Sequence, residues 1–330
     1  MIISRTPYRL SFLGGGTDYP MWYKAHGGAV LGATINKFCY ITCRYLPPFF
    51  EHRFRVVYSK SENVRTVDEI AHPAVREVLR FLQLDPGLEI HHDGDLPARS
   101  GVGSSSAFTV GLLHALYALA GRMPSRRQLA RESIHIERDR LGETVGSQDQ
   151  VLAAYGGFNQ ITFRPDDEFS VEPVPVGRER LAEFHSHLML FFTGVQRTAS
   201  HVAASYVNGL DVPKAPLARM NNLVQDGLSL LMSRHTLAPF GGLLHEAWQT
   251  KRCLGAAVST SSIDEIYAAA RSAGALGGKL LGAGGGGFLL LFADPASQAD
   301  VRKRLHKLPY VPFQFESLGS QIVFLEREEN

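Results

Sequence analysis

The spacing of apolar and polar positions changes several times along the chain, and each change predicts an element. Residues 2–5 and 8–12 alternate as two short strands on either side of Pro7. A polar glycine turn at 14–18 precedes a short helix at 19–25. From 29 to 45, β-branched and aromatic residues dominate, which predicts one or two long strands. Residues 53–59 read as a further strand with a polar loop after it. Val75, Val78, Leu79 and Leu82 recur at helical spacing around a predicted helix at 73–81, and 88–92 alternates again as a strand. Helices are predicted over 105–120, 126–141 and 148–154, followed by a hairpin of 158–163 and 169–174.

A new apolar strand at 188–192 places a boundary near residue 185, dividing the chain into 1–185 and 186–330. The stretch to about residue 270 is mostly helical, and a helix at 263–273 leads into a glycine-rich connection. Residues 288–292, 299–308 and 322–325 then give strand, helix and strand. Strands and helices mix without a regular βαβ alternation, so the expected class is α+β with two domains. No internal repeat or low-complexity segment interrupts them.

At 330 residues each domain is long enough to enclose its own core. Apolar residues make up 45% and charged residues 20%, an ordinary globular composition. The net charge of +2 is too small and dispersed to suggest a nucleic-acid partner. No apolar run approaches the ~18 residues of a membrane span, and M-I-I-S-R-T-P lacks a signal-peptide core. Cys39, Cys43 and Cys253 form no disulfide framework. The expected setting is cytoplasmic, without membrane or nucleic-acid partners.

The most telling chemistry lies in residues 97–107, P-A-R-S-G-V-G-S-S-S-A. Gly101 and Gly103 let the backbone approach a ligand, and the following helix directs unpaired N–H groups into the loop. Serine hydroxyls there suit a hard cation such as Mg²⁺. Taken alone, the segment also fits an ordinary capped helix. It is not a Walker A loop, since no Lys follows Gly103. Residues 282–287, G-A-G-G-G-G, satisfy G-x-G-x-x-G, but a helix precedes them and a buried strand follows. That is the reverse of a dinucleotide fingerprint, which excludes a Rossmann site.

Three other constellations stand out. Residues 6–18 end in G-G-G-T-D, which suits a polyhydroxylated ligand or equally a polar turn with an Asx cap. Glu137 could pair with a serine around Mg²⁺, or belong to a salt-bridged helix face with Glu132, Arg138, Asp139 and Arg140. In G-S-Q-D-Q, 146–150, Asp149 fits a general base or a first-turn carboxylate favoured by the helix dipole. His91 and His92 lack metal-ligand spacing.

Together and in this order, G-G-G-T-D, G-x-G-S-S-S-A, G-x-x-D-Q and G-A-G-G-G-G-F resemble the galactokinase–homoserine kinase–mevalonate kinase (GHMP) superfamily, from Thr6 to Phe288. The resemblance implies an N-terminal domain like the second domain of ribosomal protein S5 and a ferredoxin-like C-terminal domain. It implies ATP and Mg²⁺ as cofactors. Gly101, Val102, Gly103, Ser104, Ser105 and Ser106 would bind the ATP phosphates, with Ser105 and Glu137 on Mg²⁺. Asp149 would be the catalytic aspartate and Arg9 its basic partner, facing the transferring phosphoryl group. Gly16, Thr17 and Asp18 would form the sugar-binding turn, and Gly285 and Gly286 would flank the substrate. Adenine would lie near 58–64.

The G-G-G-T-D form resembles the sugar-1-kinase branch acting on D-glycero-D-manno-heptose 7-phosphate, with the fucokinase domain a close relative. That implies phosphorylation of the anomeric hydroxyl of a sugar phosphate, or of a free sugar in a fucokinase- or galactokinase-like enzyme. A non-catalytic sugar and ATP sensor is the alternative from another class. A phosphorylated substrate requires a second anion site, for which Arg197 in 193–201 is the first candidate. Lys24 and Arg44 are further candidates.

Overall fold

The computed structural model describes residues 1–195 and 214–326. A long antiparallel pair, β1 (Ile2–Leu13) and β2 (Gly28–Tyr45), forms the centre of a nine-stranded sheet. The short helix α1 (Pro20–His26) connects them. β1 runs through Pro7, where two strands were expected. Its register against β2 shifts between Pro7 and Tyr8, and this irregularity accommodates the N–H that proline lacks.

The strand β3 (Phe54–Val57) lies parallel to β5 (Leu88–Gly94), which pairs with the second half of β2. The polar loop expected after residue 59 contains a strand, β4 (Ser61–Val64), paired with β3. Ser61, Glu62 and Asn63 carry no apolar signal, and pairing with β3 makes the strand. The hairpin of β6 (Phe158–Phe163) and β7 (Phe169–Pro173) extends the first half of β2.

Helices α2 (Pro73–Leu82), α3 (Ser104–Leu119), α4 (Arg126–His135) and α5 (Gln148–Tyr155) accompany this sheet. α3 packs on both β1 and β2, and every residue from Ser106 to Ala118 is buried. A helix apolar on all sides takes such a central place. The helix expected over 126–141 is α-helical only to His135. Ile136–Arg140 then forms a π-helical turn, a local widening that recurs at functional sites.

After α6 (Arg178–Ser186) comes a second sheet in the order β8–β10–β9. It comprises β8 (Leu188–Phe192), β9 (Ala275–Leu280) and β10 (Phe288–Ala293), all antiparallel. The glycine-rich connection expected before residue 282 is therefore the strand β9. Its glycines serve close packing: a Cβ on Gly277 would fall 1.7 Å from Gly241 O in the neighbouring helix. That helix is α8 (Ala238–Arg252), preceded by α7 (Lys214–Met232) and followed by α9 (Ser261–Ser272).

Beyond α10 (Gln298–Arg304), the chain returns to the first sheet. β11 (Phe315–Glu316) pairs with β2, and β12 (Gln321–Leu325) pairs with β1. Two strands that follow residue 186 thus belong to the first sheet. Both sheets and their helices make an α+β architecture. No described helix is long and apolar enough to cross a membrane.

Candidate active site

Before α3, the backbone turns through Gly101 (φ 82°) and Gly103 (φ 75°), conformations that favour glycine. Arg9 N donates to Val102 O at 3.0 Å and ties this loop to β1. The first N–H groups of α3 face into the loop, where the helix dipole favours an anion. Gly101, Val102, Gly103 and Ser104 thus form a tight turn beside β1 at the N-terminus of α3.

Strand alternation brings Arg9 and Ser11 to the same side of β1. Arg9 meets Asp149, in the first turn of α5, through two hydrogen bonds: Nε to Oδ1 and Nη2 to Oδ2, both 2.6 Å. Its third nitrogen, Nη1, donates to Gly101 O at 2.5 Å. The Arg9 side chain is 5% exposed and that of Asp149 is 24%, so the carboxylate is the member that reaches solvent. Gly103 borders the pair, since a Cβ there would lie 3.0 Å from Arg9 Cγ and 3.5 Å from Asp149 Oδ2.

The serine nearest Glu137 is not the expected Ser105, which is exposed. Ser106 Oγ donates to Glu137 Oε2 at 2.9 Å, and Gln150 Nε2 donates to the same oxygen at 2.5 Å. The π-helical turn carries Glu137 wholly into the interior, and helix phase turns Ser106 inward while Ser105 faces out. Burial, reinforced by the charge of Glu143, pushes the Glu137 carboxyl up to about 8. Glu137 Oε1 is buried and has no hydrogen-bond partner among the described residues. Such an oxygen, beside a serine hydroxyl, fits a hard divalent cation that shares its other positions with phosphates and water. Among the described residues, no three His, Cys, Asp or Glu side chains gather into a full protein cage.

The turn at 14–18 is built inward. Thr17 is fully buried and its hydroxyl lies within bonding distance of Gly14 O (2.8 Å) and Ala29 O (2.9 Å). Asp18, also fully buried, accepts from Gly16 N at 2.9 Å and from Gln148 N at 3.2 Å. Its carboxylate thus sits at the N-terminus of the helix that carries Asp149. Burial and the charge of Asp149 raise its pKa, opposed by these N–H donors. A Cβ on Gly146 would fall 1.9 Å from Asp18 Oδ2, which explains that glycine.

The late glycine loop divides its contacts. Gly282 and Gly287 touch the serine loop: a Cβ on Gly282 would lie 2.6 Å from Gly101 Cα, and one on Gly287 would lie 2.2 Å from Ser100 O. Gly285 N instead donates to Val258 O at 2.9 Å, and Gly286 packs against Val195. Arg197 lies outside the described residues. Lys24 is engaged by Asp167 at 2.9 Å and Arg44 by Glu89 at 2.5 Å, so each already has a carboxylate. Near the expected adenine position, Tyr58 meets His72 edge-on at 4.8 Å, and His72 stacks on Phe108 at 4.8 Å.

Sequence reasoning did not single out Lys251 or Lys279, two buried lysines close to Arg9 and Asp18. One signal was available. Lys251 continues the buried stripe Phe240, Leu244, Ala247, Trp248 on α8, where a surface lysine has no place.

Residues 69–157 match the GHMP kinases N terminal domain, and residues 228–311 match the family described as GHMP kinases C terminal. The chain is 29% identical over 319 residues to a D-glycero-alpha-D-manno-heptose 7-phosphate kinase of Campylobacter jejuni, covering 93% of both chains. It is 24% identical to a bifunctional fucokinase/GDP-fucose pyrophosphorylase of Arabidopsis thaliana, spanning 91% of this chain but 31% of that protein. In structure it resembles a D-glycero-D-manno-heptose 1-phosphate kinase of Bacteroides thetaiotaomicron: TM-score 0.80, 24% identity, 99% of this chain and 100% of that one. It also resembles Lactococcus lactis galactokinase complexed with galactose: TM-score 0.74, 18% identity, 97% and 94% of the two chains. With both family domains present in order and the two-domain fold shared over its length, this chain belongs to the GHMP kinase family and is an ATP-dependent kinase.

Proposed function

We propose that this protein is a sugar kinase that transfers the γ-phosphoryl group of ATP to the anomeric hydroxyl of D-glycero-D-manno-heptose 7-phosphate, giving the 1,7-bisphosphate. The observation that carries the chemistry is the Arg9–Asp149 pair at the start of α5, bonded to the loop that precedes α3. The choice of sugar is supported by the similarity to the Campylobacter heptose 7-phosphate kinase over nearly the whole chain.

Phosphoryl transfer passes through a loose transition state, so positioning and charge do most of the work. In this proposal the amides of residues 101–104 hold the phosphates and Asp149 receives the proton of the anomeric hydroxyl. Arg9 keeps that carboxylate in place and adds positive charge where the γ-phosphoryl oxygens gain negative charge. Gly16, Thr17 and Asp18 are the proposed sugar-binding turn. The buried Thr17 and Asp18 shape that turn and orient α5 from behind Asp149. Ser106 and Glu137 would hold Mg²⁺, with Ser105 at the loop surface beside them. When bound, that ion neutralises charge on the β- and γ-phosphates. Gly285 and Gly286 close the far wall, and Arg197 is the candidate partner of the 7-phosphate.

The second reading is a free-sugar kinase, favoured by the similarity to the fucokinase-containing protein. ADP release with Mg·ATP separates the two, using D-glycero-D-manno-heptose 7-phosphate, mannose 6-phosphate, mannose, L-fucose and galactose as acceptors. Turnover confined to phosphorylated sugars is the expected result. Preference for a free sugar would replace the heptose phosphate with the second reading, and turnover with none of them would leave a sugar and ATP sensor.

A further inference from the structure

Two buried amines behind the site take no part in the transfer just described. Lys251, on α8, is 5% exposed and Lys279, on β9, is 3% exposed. Lys279 Nζ donates to Phe12 O at 3.0 Å, at the end of β1 where the sugar turn begins. It therefore joins the second sheet to the first. Lys251 Nζ donates to Leu280 O at 3.1 Å and to Gly282 O, the carbonyls where β9 opens into the glycine loop. Gly282 rests against Gly101, whose carbonyl accepts from Arg9. A continuous path thus runs from Lys251 through Gly282 and Gly101 to Arg9 and Asp149.

Enclosing an ammonium group away from water is costly, and an apolar side chain would fill the same space without that cost. The charged groups around the pair are Arg9 on β1 and Asp18 in the turn, with Asp149 beyond. Three basic groups face two carboxylates, in a site that receives a polyphosphate. Lys279 spends one N–H on Phe12 O, so its charge is not needed for that bond.

We propose that Lys279, backed by Lys251, is a positioning residue for phosphoryl transfer. It joins the sugar turn to the second sheet and takes up a proton from solvent when the ATP phosphates bind. Its charge, which the neighbouring Arg9 opposes in the free protein, then arrives together with the nucleotide. This rests on ATP binding alone and not on which sugar is phosphorylated. Burial, aided by Arg9 and opposed by Asp18, lowers Lys279 to about 7. Burial, then Lys279 and Arg9, hold Lys251 well below the usual lysine range. A bound polyanion acts in the opposite direction and favours the charged form.

The test is titration calorimetry of a non-hydrolysable Mg·ATP analogue at pH 8, in buffers of different ionisation enthalpy. The slope against that enthalpy counts protons exchanged on binding. Wild type should take up more than Lys279→Arg, which is charged throughout, by up to about one proton per site. Lys279→Met, which has nothing to protonate, should show the same loss. Lys279→Met should also raise the KM for ATP by about tenfold, in the range of an ordinary coupling between groups, while Lys279→Arg restores it. Equal uptake by wild type and Lys279→Arg overturns the proposal, as does an unchanged KM in Lys279→Met. Where Lys279→Met fails to fold, the proton count of Lys279→Arg decides alone. Failure of the wild type to bind the analogue would overturn this proposal together with the nucleotide site itself.

Discussion

Arg9 and Asp149 lie 140 positions apart and meet as a planar fork, with both carboxylate oxygens accepting at 2.6 Å. Such a geometry holds a carboxylate in one orientation, which a single hydrogen bond cannot do. Replacing Asp149 with Ala should lower kcat by roughly 10²–10⁴-fold, the usual range for losing a general base. Steady-state ADP release on a variant that melts like wild type measures it. A loss under tenfold would leave Asp149 with sugar positioning only. Arg9→Lys keeps the charge but cannot reproduce the fork, so it should also lower kcat.

The metal preference of two adjacent serines should differ. Ser106 bonds Glu137 inside the protein, whereas Ser105 is exposed. Ser106→Ala is expected to raise the Mg²⁺ concentration for half-maximal activity several-fold, more than Ser105→Ala does. A Mg²⁺ titration at saturating ATP reads this directly. The reverse ranking would return the metal to Ser105, through a loop movement on binding.

Glu137 makes stability depend on pH with a definite sign. Its folded pKa is raised from 4.5 to about 8 by burial. Between those values the unfolded chain has lost the proton that the folded chain keeps, so stability falls as pH rises. Glu137→Gln removes this dependence. In metal-free buffer the variant should gain on wild type by up to about 1.4 kcal/mol per pH unit across that window. Thermal melts at pH 5.5 and 8.5 are the measurement. A gap that does not widen would mean the folded protein already holds Glu137 as a carboxylate.

The contact between the two glycine loops allows no side chain. Gly287 has φ 101°, and a Cβ there would meet Ser100 O at 2.2 Å. Gly287→Ala should destabilise the protein by about 1–3 kcal/mol through strain and overpacking, and raise the KM for ATP. Gly121→Ala is the control. Gly121 also has positive φ (71°) but nothing within 4 Å, so it should lose stability without the change in KM. Urea unfolding and ATP kinetics on both variants separate loop contact from backbone strain.

The motifs of the candidate site were legible where one local signal sufficed. Glycines before an apolar helix that opens with serines, a glycine turn ending in Thr-Asp, and a carboxylate in the first turn of a helix can be read from neighbours alone. Which serine faces Glu137 could not be read in this way. It depends on the phase of α3 against a π-helical turn that ordinary helical periodicity does not foresee. The strand β9 was missed for a related reason: Gly277 and Gly278 are chosen for contact with α8 and β10 and erase the strand pattern. β11 and β12 return to the first sheet because β1 and β2 offer them free edges, a partner choice made across about three hundred residues.

The sequence by itself determined the class of fold, most of its elements and the motifs that meet around Arg9 and Asp149, because turns, caps and periodicity are local properties. Only the tertiary structure decided which groups are sealed from water. Burial enclosed Thr17 and Asp18 in the turn, gave Glu137 an unpartnered oxygen, and enclosed Lys251 and Lys279 beside Arg9. The dielectric and the hydrogen-bond partners of a charged group come from the whole packed surroundings. No stretch of sequence contains those surroundings.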